Sequence, residues 1–128
     1  MRALVLPMSG DARVVRLPQR PELEQLRVIY DLIGCQYVQI LRLTGDLTMW
    51  SDEEATTRPV PPEPNRPAML IGVAFGHAER YFGTVVYTGL DRRGDTTGLS
   101  DAQLARLAGL LDRLGVRIAD ELQTARDA

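Results

Sequence analysis

Three consecutive carboxylates, Asp52-Glu53-Glu54, form the densest group of chemically capable side chains in the sequence. Carboxylate oxygens bind hard cations and act as general acids or bases. However, no Asp-x-Asp-x-Asp-Gly loop surrounds them and no histidine lies near them in sequence. Adjacent residues also do not converge easily on one ion. We interpret this run mainly as a solvated connection at the rim of a binding surface, with a weak cation site as the alternative.

His77 is the only histidine in the sequence and Cys35 the only cysteine. A Cys35–His77 nucleophile pair would need the fold to join two residues that are far apart in sequence. A buried, inert thiol is the commoner outcome at the start of a strand. No zinc-ligand spacing, nucleophile elbow, P-loop or dinucleotide-binding glycine motif occurs. We therefore expect no catalytic residue, no metal and no cofactor.

The preferred site contains cationic and aromatic residues. Asn65 is the predicted N-cap of a short helix, whose first N–H groups favour anions, and Arg66 adds a full positive charge there. Arg92 and Arg93 could contact phosphate, and Tyr81 could stack on a base. The alternatives are an exposed turn with compensating charges and a core aromatic residue. We predict ligand binding by Asn65, Arg66, Tyr81, Arg92 and Arg93, a set that suits a nucleotide-like anion.

A proline-rich segment follows the carboxylates. Arg58, Pro61 and Pro64 satisfy the R-x-x-P-x-x-P pattern of polyproline ligands for aromatic grooves. The pattern is short, and we favour a stiff connector. Residues 55–67 are thus predicted to be a connection inside the domain.

Composition limits the class of protein. A chain of 128 residues with 45% apolar residues can bury one core, which predicts a single domain over residues 1–128. The net charge of −2 argues against a nucleic-acid binder that relies on bulk positive charge. A single cysteine fits a reducing compartment, and no stretch approaches the length of a membrane span. We therefore expect a cytoplasmic protein.

The elements that must position these residues follow from the hydrophobic pattern. We predict a β-hairpin over residues 2–17, a helix over 21–34 that Gly34 ends, and a second hairpin over 35–50. A short helix follows Asn65, and residues 80–89 form the last clear strand, with a possible bulge at Gly83. Ser100 and Gln103 have the form of a capping box for a final helix. Its predicted apolar stripe comprises Leu104, Leu107, Leu111, Leu114, Ile118 and Leu122.

This order of features resembles a family catalogued as domain of unknown function 3846. The shared features are MRALVL…VVRL, the helix LEQLRVIYDLIG before QYVQILRL, and the polar turn SDEE after Trp50. Asn65 with Pro67-Ala68, the strand GTVV, and Gly94-Asp95 before LSDAQ complete the resemblance. The Asn-Glu-Glu-Gly type of turn typical of the family is replaced here by Asp52-Glu53-Glu54-Ala55. The resemblance implies a context of bacteria, plasmids and phages, and no mechanism.

Together these observations predict an α+β fold, a single compact domain with a mainly antiparallel sheet packed against two main helices. The expected function is that of a non-enzymatic accessory binding protein of a phage or mobile element. Its partner would be a host protein or a small anionic ligand, and a homo-oligomer is possible. The alternative is a small enzyme that uses His77 with a carboxylate.

Overall fold

The computed structural model describes residues 1–124, and over these residues a seven-stranded sheet carries helices on both faces. The strands are β1 (Arg2–Leu6), β2 (Ala12–Arg16), β3 (Val38–Arg42), β4 (Leu47–Asp52), β5 (Val85–Leu90), β6 (Thr96–Thr97) and β7 (Ile118–Thr124). The helices are α1 (Glu22–Ile33), α2 (Arg66–Ala74) and α3 (Asp101–Arg113), and a 3-10 helix spans Ala55–Thr57.

The strand order is β3-β4-β5-β1-β2-β7, and the short β6 pairs with the end of β5. In this part of the chain only β2 and β7 pair in parallel, and the other pairings are antiparallel. The expected α+β fold with a mainly antiparallel sheet is therefore confirmed. The two predicted hairpins are β1–β2 and β3–β4.

The central strand β1 explains why helices cover both faces. Four of its five residues are buried, so both faces of the strand are apolar. Leu4 and Leu6 pack in one core with α2 and α3, and Ala3 and Val5 pack in the other core with α1. The two main helices of the prediction, α1 and α3, thus lie on opposite faces of the sheet.

The ends of the helices follow local sequence signals. Gly34 adopts φ 79° after α1, and its N–H donates to the carbonyl of Tyr30. The capping box of α3 is present, because Ser100 Oγ accepts from Gln103 N while Gln103 Oε1 accepts from Ser100 N. Asn65 caps α2 as predicted, accepting a hydrogen bond from Ala68 N.

Two expectations about the C-terminal half are wrong. The apolar stripe does not continue along α3, because the helix ends at Arg113 and Gly115 takes φ 74°. Ile118 and Leu122 belong to β7 instead. The strand expected over residues 80–89 begins only at Val85, since Gly83 adopts φ 80°, and it is followed by β6 and β7.

None of the helices in residues 1–124 has the length and apolar character that a membrane span needs.

Candidate functional site

The strand registers divide the candidate residues between two ends of the sheet. Val38 lies opposite Asp52, and Leu6 lies opposite Val85, at what we call the acidic end. The other end of the sheet, which we call the opposite end, lies where β5 finishes at Leu90. Because β5 has six residues that each rise about 3.3 Å, the two ends are roughly 17 Å apart.

Asp52 at the acidic end is not a solvated residue. Its carboxylate is only 4% exposed, and Oδ2 lies 2.7 Å from Arg58 Nη2. Oδ1 accepts a hydrogen bond from the N–H of Glu54 at 2.9 Å. A buried carboxylate needs such partners, so Asp52 holds the turn together. The expectation of a solvated connection applies only to Glu53 and Glu54, which are exposed.

The guanidinium of Arg58 is engaged by Asp52 and by a backbone carbonyl. Besides its ion pair with Asp52, its guanidinium donates to the carbonyl of Gly34 at 3.4 Å. It therefore joins the proline-rich segment to the C-terminal end of α1. The polyproline-ligand hypothesis needs a free arginine on an extended segment, and Arg58 does not supply one here.

A cleft of about 580 Å³ lies beside this ion pair, lined among others by Tyr30, Asp31, Cys35, Glu54 and Arg58. Burial, and then the negative charge of Asp52, raise the pKa of the Cys35 thiol from its usual 9.0 to about 11. A thiol with a raised pKa holds little thiolate at neutral pH and is a poor nucleophile. The cleft therefore lacks an activated cysteine.

Asn65 has a structural role. It is completely buried. Its Nδ2 donates to the carbonyls of Leu6 and Gly83 at 3.0 and 2.8 Å, and its Oδ1 accepts from Ala68 N at 3.0 Å. These bonds tie the start of α2 to β1 and to the loop before β5. Since its amide is engaged and hidden from solvent, Asn65 cannot contact a ligand directly in this conformation.

Arg66 follows at the first position of α2 and is exposed. Leu70 and Val73, two further residues of α2, are 41% and 57% exposed. The spacing 66, 70, 73 places these three side chains on one side of the helix. Ala68 and Ile71 point to the core on the other side. We call the row Arg66, Leu70 and Val73 the α2 ridge.

Tyr81 is 3% exposed and belongs to the core between the sheet and α2. It therefore presents no ring face on which a base could stack. Among the described residues, its hydroxyl and that of Tyr87 are buried with no hydrogen-bond partner. Burial raises the pKa of both phenols. The nearby Gly72 leaves room for Tyr81, because a Cβ there would lie 3.2 Å from its ring.

Arg92 and Arg93 lie at the opposite end, in the exposed turn after β5. The turn is closed by Asp91, whose Oδ1 accepts hydrogen bonds from the N–H groups of Arg93 and Asp95. Arg93 also lies 3.9 Å from Asp95, with both side chains largely exposed. The structure thus places three predicted ligand-binding residues, Asn65, Arg66 and Tyr81, near the acidic end and the two remaining arginines far from them. A single site that contains all five is not assembled.

His77 is also separated from the carboxylates of the acidic turn. Its Nε2 lies 3.3 Å from the carbonyl oxygen of Leu43, at the end of β3 that is remote from Asp52 and Cys35. A carbonyl accepts only, so this contact requires the proton on Nε2. Within the described residues, no three His, Cys, Asp or Glu side chains lie close enough together to hold a metal ion.

The sequence prediction missed the α2 ridge, although a signal for it exists. The helix RPAMLIGVA is apolar around most of its circumference. A helix that packs on a sheet can bury only one side, so some of these apolar residues had to be exposed. The Asp52–Arg58 ion pair was also missed, although only six positions separate the two residues.

Comparison with known families identifies the chain. Residues 1–112 match the family described as domain of unknown function (DUF3846). The protein belongs to this family. The match covers the sheet from β1 to β6 and nearly all of α3, and it leaves β7 outside. Neither the search of curated proteins nor the search of solved structures gives a match.

Proposed function

We propose that this DUF3846 protein is a non-enzymatic accessory binding protein of a phage or mobile element, and that it engages a host protein through the α2 ridge. The single observation that carries the proposal is the exposure of Leu70 and Val73 in line with Arg66 on one helix. The mobile-element context is drawn from the family resemblance, and a cytoplasmic location is drawn from the single free cysteine.

Exposed apolar residues on a helix favour a protein partner over a small ligand. Helix faces of this kind bind in grooves through anchors at i, i+4 and i+7. Large apolar side chains clustered on a surface also mark contact sites more often than isolated ones do. A nucleotide-like ligand, in contrast, would require the guanidinium groups of Arg92 and Arg93 near Arg66 and an accessible Tyr81 ring. The observed geometry does not favour that form of the binding hypothesis.

Charge at the end of the α2 ridge indicates the chemistry of the partner. The N-terminal end of a helix carries partial positive charge, and the first turn of α2 has no acidic residue to offset it. Arg66 adds a full positive charge at the same place. We therefore expect a partner surface that is apolar along Leu70 and Val73 and that has a carboxylate opposite Arg66.

The enzyme alternative has less support. It needs His77 beside a carboxylate, yet the acidic turn lies at the other end of β4 from the Leu43 carbonyl that His77 contacts. Cys35, the other candidate nucleophile, has a pKa of about 11 and lies near the acidic end.

Photocrosslinking tests where the partner binds. A photoreactive amino acid at Val73 should capture a host protein in cells. The same group at Leu23, an equally apolar and 78% exposed position on α1, is the matched control and should not capture that protein. Equal capture at both positions would contradict the α2 ridge as the binding surface.

The captured partner, once purified, can be titrated by calorimetry. Arg66→Glu should weaken binding at least about tenfold, because it replaces attraction by repulsion at a contact that loses water. Leu70→Ser should weaken it similarly. Arg92→Glu makes the same charge change at the opposite end and should leave the affinity unchanged. Wild-type affinity in both Arg66→Glu and Leu70→Ser would refute the proposal.

A further inference from the structure

Within residues 1–124 no strand pairs with the outer edge of β3, and this edge carries little protection. β3 is the first strand in the sheet order, and its ladder to β4 runs without a register shift from Val38 to Arg42. Natural edge strands are usually blocked by proline, bulges or several charges. Here Arg42 is the only charged residue of the strand, and Ile40 is 55% exposed. Such an edge is suited to pairing with another strand.

The hydrogen bonds to β4 determine which backbone groups of β3 remain available. Glu53 N donates to the carbonyl of Tyr37, and Leu43 N donates to the carbonyl of Leu47. In an antiparallel pair the bonded residues alternate, so odd-numbered residues of this segment face β4. The N–H and C=O groups of Val38, Ile40 and Arg42 therefore point outward.

This alternation is self-complementary. A two-fold axis through Ile40 places Ile40 opposite Ile40 of a second copy, and Val38 opposite Arg42 of that copy. All three pairs would then be of the hydrogen-bonded type, which gives about six inter-chain bonds. Val38, Ile40 and Arg42 are evenly spaced about the centre of the strand. The two-fold axis therefore places each outward N–H of one copy opposite an outward C=O of the other.

Charge favours the same antiparallel arrangement. Arg42 lies at one end of β3, and Val38 at the other end is paired with Asp52. Two-fold pairing therefore brings Arg42 of each copy toward the acidic turn of the other, on the face of the sheet that carries α1, where Glu54 is exposed beside Tyr30 and Gly34. A parallel arrangement would instead place the two Arg42 side chains side by side. Opposite charges that meet across an interface fix its register and orientation.

We propose that β3 pairs with β3 of a second copy, so that two chains form one continuous sheet with a two-fold axis at Ile40. The contact is small, since one strand contributes most of it, and we expect a dissociation constant on the order of 0.1 mM. The α2 ridge is not used in this dimer. The proposal is therefore independent of the proposed function and can fail without it.

Amide hydrogen exchange gives a residue-level test. In the monomer, Gln39 and Leu41 are bonded to β4 and exchange slowly, whereas the outward amides of Val38, Ile40 and Arg42 exchange fast. Raising the protein concentration from about 10 µM to about 1 mM should protect these three amides and leave those of Gln39 and Leu41 unchanged. Fast exchange of the three amides at the higher concentration would overturn the proposal.

Two sets of variants test the pairing by sedimentation equilibrium. Ile40→Pro removes an outward N–H without removing a bond to β4, because proline is tolerated at such edge positions. It should abolish the dimer, whereas Ile40→Ala, which keeps the N–H, should weaken it less. Arg42→Glu should raise the dissociation constant at least about tenfold, and adding Glu54→Arg, on the same face of the sheet, should restore it to within about threefold of wild type.

The remaining outcomes count against the proposal. A wild-type protein that stays monomeric at about 1 mM would refute it, as would a dimer that persists in both Ile40→Pro and Arg42→Glu. A dimer that dissociates only in Leu70→Ser would assign self-association to the α2 ridge instead. Circular dichroism that shows intact folding of Ile40→Pro is the required control, and Arg42→Glu keeps the test valid if that variant unfolds.

Discussion

At the scale of single residues, Asn65 shows what the sequence could and could not predict. The pattern Asn-Arg-Pro before an apolar run predicts a helix cap, and Asn65 Oδ1 does accept from Ala68 N. The two carbonyls that its amide reaches belong to Leu6 and Gly83, which lie 59 and 18 positions away. No local sequence pattern encodes those contacts. A side chain predicted to bind a ligand therefore makes its hydrogen bonds within the protein instead.

Asn65→Ala should lower the free energy of unfolding by about 2–4 kcal/mol, because three buried hydrogen bonds are lost and their partners stay unpaired. Asn65→Asp should be at least as harmful at pH 7, since it keeps the cap but directs a carboxylate at the carbonyls of Leu6 and Gly83. Urea denaturation measures both variants. A loss below about 0.5 kcal/mol for Asn65→Ala would show that its bonds are exchanged for water without cost.

Cys35 should be a slowly reacting thiol. With its pKa raised from 9.0 to about 11, its alkylation by iodoacetamide at pH 8 should be roughly ten- to hundredfold slower than in the unfolded chain. The unfolded chain releases this proton at lower pH than the folded one. The contribution to stability is therefore present below about pH 9 and is lost as the pH rises toward about 11. Comparing the pH dependence of unfolding with that of Cys35→Ser isolates the contribution of the thiol to stability. Alkylation of folded Cys35 as fast as that of the unfolded chain at pH 8 would contradict the raised pKa.

At the scale of elements, local signals located most helices and strands but not the end of α3. The capping box at Ser100 is a short-range pattern, and it is present as predicted. The apolar stripe predicted too long a helix, because Leu114 and Ile118 are four positions apart and this spacing is typical of a helix even though Ile118 begins a strand. The positive φ of Gly115 ends the helix instead, and the pairing of β7 with β2 then depends on residues about a hundred positions away.

Two helical glycines should respond oppositely to substitution by alanine. A Cβ at Gly72 of α2 would lie 2.9 Å from the carbonyl oxygen of His77 and 3.2 Å from the Tyr81 ring. Gly72→Ala should therefore cost about 1–3 kcal/mol despite the better helix propensity of alanine. Gly109 of α3 has no atom within 4 Å of such a Cβ. Gly109→Ala should stabilise the protein by about 0.5–1 kcal/mol.

Thermal or urea unfolding of these two variants decides between packing and propensity. If both variants gain stability, α2 has room to shift away from the His77 carbonyl, and the close approach at Gly72 is not required by the fold. If both lose stability, the exposed position of Gly109 is not the open site that its surroundings indicate. The first of these results would also change the assignment of α2 as a firmly seated helix that presents Arg66.

At the scale of the whole molecule, the sheet separates residues that the sequence analysis combined. Arg66 and Arg92 carry the same charge and suit the same ligand, so composition and spacing could not tell that they lie toward opposite ends of β5. Strand direction and register decide this, and both depend on pairings between segments that are distant in sequence. The fold class could therefore be predicted from periodicity, whereas the membership of a site could not.

The sheet also separates two cores, and their independence can be measured. Ile29 on α1 and Leu107 on α3 are both completely buried, on opposite faces of the sheet. Leu107→Ala should cost about 2–5 kcal/mol and Ile29→Val about 0.5–1.5 kcal/mol. Because the two sites share no core, the double variant should lose stability equal to the sum of the two single losses to within about 0.5 kcal/mol.

Leu111 lies one turn from Leu107 in the same core, so the loss of stability in Leu107→Ala with Leu111→Val should deviate further from the sum of the single losses. Urea denaturation of the single and double variants gives both coupling energies. A large coupling between Ile29 and Leu107 would mean that the sheet transmits repacking from one face to the other.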